Sequence, residues 1–194
     1  MQWLDPGELI DRELQLVAPD ERWVGQVLES LRHPLTRRDD PAVASWNRKT
    51  LLDLLASAPG GRDPGDLARQ RAPGYHFWMR LLPEYRPPVP FAGGMGLRIG
   101  QSFELKMYFG HVGYHVYPPA RGNHYAERAV RLVLPLARRH GLSEIWITVN
   151  PDNIPSRRTC ERLGAKFVEI VDLPPDNALY QRGDRRKCRY LLRI

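Results

Sequence analysis

The side chains of this sequence that could move a proton are concentrated in its second half. His111 and His115 are four positions apart in a predicted strand, so both should project from the same face. An imidazole with a pKa of about 6.5 can accept a proton from a substrate at neutral pH. Glu104, in the preceding segment, is a further candidate base, or a ligand for a substrate ammonium group. Strand histidines are also common as packed, hydrogen-bonded residues, so a structural role stays open for each of them.

Cys160 is a candidate of a different kind, because a thiol with a pKa of about 8.5 can donate a proton. It lies inside a predicted helix, where packing is the ordinary role of a cysteine. A nucleophilic cysteine needs a lowered pKa and a base within hydrogen-bond reach, and the sequence indicates neither. We therefore do not expect a covalent acyl-cysteine.

A basic, glycine-bearing turn follows the predicted strand that ends at Pro118-Pro119 and opens directly into a helix. The first amides of a helix have no intrahelical partner and lie at the positive end of the helix dipole. Such a junction is suited to bind a pyrophosphate. The candidate binding residues are the consecutive positions of the turn and of the helix start: Arg121, Gly122, Asn123, His124, Tyr125 and Ala126.

A second polar helix start follows the next predicted strand. It consists of Asn153-Ile154-Pro155-Ser156, in which the proline suits the first helical turn. Asn150 closes the preceding strand and should line the same region. Asn150, Asn153 and Ser156 are therefore added to the candidate binding residues.

Together the two segments resemble the acyl-CoA signatures of the GNAT N-acetyltransferase superfamily, and the strand GHVGYHVYP is typical of one bacterial branch of predicted acetyltransferases. In the family pattern Arg/Gln-x-x-Gly-x-Gly/Ala, Arg121 takes the first position and Ala126 the last, while the central glycine is replaced by His124. The family's second signature resembles Asn153-x-x-Ser156. In the family, this asparagine and its helix bind the pantetheine and thiol end of CoA where two strands splay apart.

The resemblance implies acetyl-CoA as co-substrate and direct attack of a primary amine on it in a ternary complex. A backbone amide of the strand before the turn, here that of Val116, would polarise the thioester carbonyl. The family's usual acid is a tyrosine seven residues after the signature asparagine, and Cys160 occupies that position. The nearest candidate bases remain the two histidines and Glu104. The residues do not identify the acceptor amine.

A non-catalytic acyl-CoA-binding sensor or partner-binding protein on the same fold stays open as an alternative. Its basis is the pair of departures from the family pattern, His124 and Cys160. Turnover of acetyl-CoA with an amine distinguishes an N-acetyltransferase from such a non-catalytic protein.

The elements that must position these residues form an α/β (α+β) fold: a single mixed, mostly antiparallel central sheet flanked by helices, as in GNAT-like acyl-CoA N-acyltransferases. We expect one domain over residues 1–194, with a substrate-facing part (1–90), an acyl-CoA-binding core (91–171) and a C-terminal strand region (172–194). The predicted helices cover residues 20–31, 45–57, 120–139 and 155–163. The predicted strands cover residues 13–17, 75–82, 91–99, 110–117, 144–149, 166–171 and 186–194, and residues 58–75 are expected to form a long surface loop.

Composition limits the class of protein. The chain has 194 residues, 42% of them hydrophobic, and a formal net charge of +7 that is spread along its length. A phosphate-bearing cofactor suits this charge, whereas no nucleic-acid motif and no apolar run of about 18 residues indicates nucleic-acid or membrane binding. Two distant cysteines and an N-terminus without signal-peptide features favour the cytoplasm. No metal-ligand spacing is present, and a homodimer stays open.

Overall fold

The computed structural model describes residues 2–66 and 71–194. Its strands are β1 (Ile10–Asp11), β2 (Leu14–Val17), β3 (Arg62–Asp63), β4 (Gly74–Leu81), β5 (Phe91–Arg98), β6 (Val112–Val116), β7 (Glu144–Val149), β8 (Lys166–Asp172) and β9 (Arg186–Arg193). Its α-helices are α1 (Val24–Arg32), α2 (Pro34–Asp39), α3 (Pro41–Ala44), α4 (Arg48–Ser57), α5 (Tyr125–Arg139), α6 (Ile154–Leu163) and α7 (Ala178–Gln181). Among these helices, none is both long and apolar enough to cross a membrane.

The strands form two hydrogen-bonded sheets, and every pair within them is antiparallel. The first has the order β1-β2-β4-β5-β6 with β3 added to β4, and the second has the order β7-β9-β8. The predicted mixed α/β fold, with antiparallel strands flanked by helices, is confirmed. The predicted central sheet is divided between β6 and β7, which are neighbours without a shared ladder.

One backbone hydrogen bond holds the two sheets together just before β6 begins. The His111 amide donates to the Trp146 carbonyl oxygen at 2.7 Å. Gly110, whose φ is +69°, precedes this contact, and a side chain there would meet the β7 backbone at 3.0 Å. Beyond this point β6 and β7 separate, and a cleft opens between them.

Helix α5 covers one face of the larger sheet. Its buried residues recur at helical spacing (Tyr125, Ala129, Val133 and Leu136) and join the main core. On the opposite face, α1 and α4 pack over Trp78 and form a second, smaller core. These helices cover only part of that face.

Three local predictions need correction. The helix expected to start at Ala120 begins at Tyr125, because His124 adopts a left-handed backbone conformation with φ 57°. The expected loop 58–75 contains β3 and the buried Asp63, and residues 67–70 of that loop lie outside the described residues. Alternation in the predicted strand 186–194 gives Lys187 and Arg189 a polar face opposite Cys188 and Tyr190, but both basic residues are buried.

Candidate active site

The cleft between the diverging ends of β6 and β7 has a volume of about 190 Å³. Both strands, the start of α6 and the start of β9 contribute to its walls. The lining residues are Val112, Gly113, Tyr114, Ile147, Thr148, Val149, Asn150, Asn153, Ser156 and Lys187. Of the residues predicted from sequence, Asn150, Asn153 and Ser156 are therefore brought together here.

The backbone of β6 presents free donors to this cleft. The carbonyl of His111 accepts from Arg98, and the amide of Tyr117 donates to Ala92, so the odd-numbered residues of this stretch pair with β5. In an antiparallel ladder, the alternate residues direct their amides to the other edge. The amides of Tyr114 and Val116 thus point toward the cleft, and Val116 lies where the resemblance places an oxyanion donor.

The predicted phosphate-binding turn lies directly beyond β6. Gly122 has φ +91°, a conformation that favours glycine, and open space surrounds its missing side chain. His124 has a left-handed backbone and makes no side-chain cap, so the first amides of α5 stay free of a capping side chain. The Arg121 Nε donates to the Val116 carbonyl at 3.0 Å, and the Asn123 amide donates to Ala120 at 3.2 Å. These two side chains therefore fix the turn.

Helix α6 begins at the opposite wall of the cleft. Asn153 is its N-cap, and its Oδ1 accepts from the Ser156 amide at 3.2 Å. Arg157 donates to the Tyr190 hydroxyl and to the Pro151 carbonyl, each at 3.2 Å. The arginine therefore ties α6 to β9 and to the preceding turn.

The side chain of Asn150 is held by a polar network at the mouth of the cleft. Its amide donates to Asp184 at 2.7 Å, and its oxygen accepts from the buried Lys187 ammonium. Lys187 also donates to Asp184 at 2.7 Å. Asn150 lines the cleft as predicted, but with its own amide already engaged by the protein.

The structure gives His111 a structural role in place of the predicted basic one. Its ring is fully buried, Nδ1 accepts from the Trp146 amide at 2.9 Å, and Nε2 lies 3.1 Å from the Gly100 carbonyl. Because an amide N–H can only donate, Nε2 must carry the ring proton. Burial lowers the pKa of this imidazole. Neither nitrogen is free to take a proton from an amine.

His115 differs from His111 in its exposure and in its hydrogen bonding. Its side chain is partly exposed, and no hydrogen bond within the described chain engages either ring nitrogen. Nε2 is buried 3.1 Å from Asp40 Oδ2, in an orientation outside that of a hydrogen bond. Burial lowers the pKa of His115, while the Asp40 carboxylate acts in the opposite direction. The imidazole is neutral at neutral pH and has a carboxylate beside it.

Cys160, at the family's usual acid position, is fully buried in the main core. Burial raises the pKa of its thiol to about 12. The cleft lining does not include it. Its position in the core corrects the prediction that this thiol is an acid at the site.

Tyr114 is a residue that the sequence reasoning missed. It reaches from β6 across to α6, where its hydroxyl lies 2.8 Å from Ser156 Oγ. Burial raises the pKa of this phenol, so it stays protonated over the ordinary pH range. The available signal was its place between Val112 and Val116 in the strand alternation, which directs all three side chains to one face.

Glu104 lies in the first turn of a helical segment that continues as a π-helix over Leu105–Phe109. Its side chain is partly buried and is not part of the cleft lining. Its proposed basic role stays a prediction. Among the described residues, no group of three or more His, Cys, Asp or Glu side chains could hold a metal ion.

A family model described as an acetyltransferase (GNAT) domain matches residues 29–166. No curated protein sequence matches this chain significantly. Among solved structures, the GNAT-family acetyltransferase from Bacillus anthracis is similar at 16% identity and a TM-score of 0.62, over 96% of this chain and 98% of that one. A complex of RimL, a ribosomal L7/L12 alpha-N-protein acetyltransferase, with coenzyme A is similar at 14% identity and a TM-score of 0.66, over 96% and 98% of the two chains.

A third similar structure is the microcin C7 self immunity acetyltransferase MccE with acetyl-CoA and AMP, at 13% identity and a TM-score of 0.65, over 95% of this chain and 94% of that one. At such identities the structural likeness shows the fold alone. The family model adds sequence evidence over more than half of the chain. The chain belongs to the GNAT acetyltransferase family.

Proposed function

We propose that this protein transfers an acetyl group from acetyl-CoA to a primary amine, by direct attack of the amine in a ternary complex. The observation that carries the proposal is the cleft between β6 and β7, which adjoins a turn with free helix amides. Two structures of similar fold hold acetyl-CoA or coenzyme A, which supports this choice of co-substrate.

The co-substrate binds along a path that the free backbone donors define. The pyrophosphate accepts hydrogen bonds from amides of residues 122–126, at the N-terminus of α5. The pantetheine arm runs along β6 past Val116, and Asn153 and Ser156 line the opposite wall. The thioester then lies near Gly113, where the two strands begin to separate.

The chemical step requires a proton acceptor for the amine. The amine nitrogen attacks the thioester carbon, and the amide of Tyr114, the free strand donor next to Gly113, stabilises the developing oxyanion. The amine proton passes to Nδ1 of His115, and the Asp40 carboxylate, 3.1 Å from Nε2, stabilises the resulting imidazolium by its charge. The carbon–sulfur bond then breaks, and the electron pair leaves with the CoA sulfur.

Tyr114 acts on the leaving group. Its hydroxyl lies at the α6 wall of the cleft beside Ser156, on the helix from which the family's usual acid comes. Because its pKa is raised, the phenol keeps its proton and stabilises the thiolate by a charge-assisted hydrogen bond. The thiolate later takes its proton from solvent. No acyl-enzyme forms, since the Cys160 thiol is buried in the core.

Replacing Tyr114 by phenylalanine should raise the pKa of the thiol of bound CoA by about one unit. The reason is the loss of one hydrogen bond to a charged group, worth roughly 1.5–3 kcal/mol, of which Ser156 replaces a part. The pKa is measured from the ultraviolet absorbance of the thiolate in the complex with CoA. Cys160→Ala is the matched control, because this thiol also interacts with the tyrosine hydroxyl but lies in the core. Equal thiol pKa values in the wild type and Tyr114→Phe would remove Tyr114 from the mechanism.

The function itself is tested by incubation with acetyl-CoA and a panel of amines and peptides. Release of free CoA thiol that depends on the amine, with a matching acetylated product by mass spectrometry, is the expected result. An acetyl adduct on the protein would replace direct transfer by a covalent route. Tight CoA binding with no transfer to any amine would support the non-catalytic sensor instead.

A further inference from the structure

The face of the larger sheet opposite α5 has an uncovered part beside the proposed site. Gly94, Gly96 and Gly113 lie on this face, next to one another in the pairing of β5 and β6. A Cβ added to any of them would come no closer than 3.4 Å to a neighbour. We call this depression, bordered by His76, Arg98 and His115, the glycine groove. Gly113 also lines the cleft, so the groove and the cleft meet at this residue.

The guanidinium of Arg98 forms one end of the groove. Its Nη1 donates to the carbonyls of Phe109 at 3.2 Å and Gly110 at 3.0 Å. Both Nη1 and Nη2 would lie 3.5 Å from a Cβ on Gly113. The guanidinium therefore sits directly over the residue that separates the groove from the cleft.

Among the residues that the structure describes, no carboxylate forms an ion pair with this cation. Within the described residues, Arg98 has no ion pair, and its Nε and Nη2 donate no hydrogen bond. The nearby Asp63 is already engaged by Arg71 at 2.6 Å and by the Gly65 amide at 2.9 Å. Burial lowers the pKa of Arg98, and the charge of the Asp63 carboxylate, which acts in the opposite direction, does not offset this effect.

The unused nitrogens have the geometry of a recognition site. Nε and Nη2 form one edge of the guanidinium, the edge that binds a carboxylate through two parallel hydrogen bonds. Nη2 lies over Gly113 in the groove without a hydrogen bond among the described residues, while Nη1 is fixed by the backbone. Arg98 and His115 border the same groove. An acceptor whose anionic group binds Arg98 therefore places an amine of the same molecule between the His115 imidazole and the thioester.

We propose that the acceptor carries a carboxylate close to its reacting amine, and that Arg98 binds this carboxylate in the glycine groove. The inference rests on the proposed acetyl transfer and names the class of its acceptor, an amino-carboxylate. The carboxylate has two sources, the α-carboxylate of a free amino acid or the acidic side chain of a peptide near its N-terminus. Both present the same planar anion to the guanidinium.

The test measures kcat/KM for matched acceptor pairs. Free amino acids are compared with their carboxamides, and peptides with Asp at the second position are compared with the same peptides carrying Asn. The wild type should prefer the carboxylate member of one series by about 10- to 100-fold, as expected for a charge-assisted bidentate pair. The series that shows the preference identifies the source of the carboxylate.

Arg98→Gln keeps a donor for the backbone carbonyls and removes the charged edge. It should abolish the preference while leaving CoA affinity and turnover of the uncharged acceptors within about threefold. Arg98→Lys should restore part of the preference, because it keeps the charge without the planar edge. Arg80→Gln is the matched control, since Arg80 lies on the same face of neighbouring β4 and is bound to Gln15.

A wild-type preference below about threefold, or a preference that persists in Arg98→Gln, would overturn the inference. Acetylation of other amines but of neither member of any pair would also overturn it. Absence of CoA binding would instead contradict the proposed function. The two failures are therefore distinguishable.

Discussion

Replacing His115 by glutamine should lower kcat/KM for amine acetylation by about 10²–10⁴-fold, the range typical of a lost general base. The affinity for CoA should change by less than about threefold, because this side chain lies outside the cleft lining. The free energy of unfolding should change little, since His115 is partly exposed and makes no hydrogen bond within the described chain. Steady-state kinetics and calorimetric titration with CoA measure the two effects separately.

The pH dependence of the wild type gives a second view of the same residue. Burial lowers the pKa of His115 below its ordinary value of about 6.5, and only the neutral imidazole can accept a proton. The value of kcat/KM should therefore be constant near neutrality and fall as the pH drops through this lowered pKa. His115→Gln should lose the acidic limb. An unchanged profile in the variant, or near-normal activity, would show that another group is the base.

Replacing His111 by phenylalanine should lower the free energy of unfolding by about 2–4 kcal/mol. The change leaves the Trp146 amide and the Gly100 carbonyl without their partner, and each unsatisfied buried group costs roughly 1–3 kcal/mol. Urea titration followed by circular dichroism measures the loss. His115→Gln is the control, because it changes the other strand histidine and should leave the midpoint nearly unchanged.

The same histidine links stability to pH. The folded state holds His111 neutral with a lowered pKa, so the unfolded chain binds more protons below about pH 6.5. The wild type should therefore lose stability as the pH falls from about 6.5, and His111→Phe should lose less over this interval. A destabilisation below about 0.5 kcal/mol together with a large loss of turnover would return His111 to the candidate bases.

These two histidines show that the sequence does not predict which strand residue has a structural role and which is available for catalysis. Strand alternation predicts that both lie on one face, and it says nothing about what covers each ring. The outcome depends on Gly110, whose positive φ brings the chain against β7, and on the Gly100 carbonyl that meets the ring. The contact of Gly110 with β7 joins segments that are distant in sequence, and the contact of Gly100 with the ring comes from an irregular part of the backbone. Neither contact produces a periodic pattern of residue types in the sequence.

The elements with strong local patterns were predicted well. The apolar stripe of α5 and the buried strand β7 follow directly from residue spacing, and Pro155 and Gly164 mark the ends of α6 as the capping rules require. The cleft beside Asn153 and the glycine-bearing turn before α5 were expected from their sequence signatures, and the anion-binding role of this turn stays a prediction. The later start of α5 was missed because a left-handed histidine at an N-cap is uncommon.

Side chains that act across the fold could not be predicted in this way. Tyr114 follows the alternation of a core strand residue, and only the packing of α6 against β6 brings its hydroxyl to Ser156. An arginine at a strand end, such as Arg98, is usually solvated. Here its guanidinium donates a hydrogen bond to the carbonyl of Phe109, the last residue of the π-helix Leu105–Phe109. Cys160 occupies a functional position of the family pattern but lies in the core. In each case tertiary packing decides the role.

The central claim, that the cleft between β6 and β7 holds CoA, is tested most directly by calorimetric titration of two matched variants. Ser156→Phe places a large side chain at the α6 wall of a cleft of about 190 Å³, whereas Arg158→Phe places the same side chain on an exposed position of that helix. We expect one CoA per chain in the wild type and in Arg158→Phe, with dissociation constants within about threefold of each other. Ser156→Phe should bind about 10- to 100-fold more weakly, the cost of overfilling the cleft. Equal affinities in the two variants, or no binding by the wild type at millimolar CoA, would contradict the account.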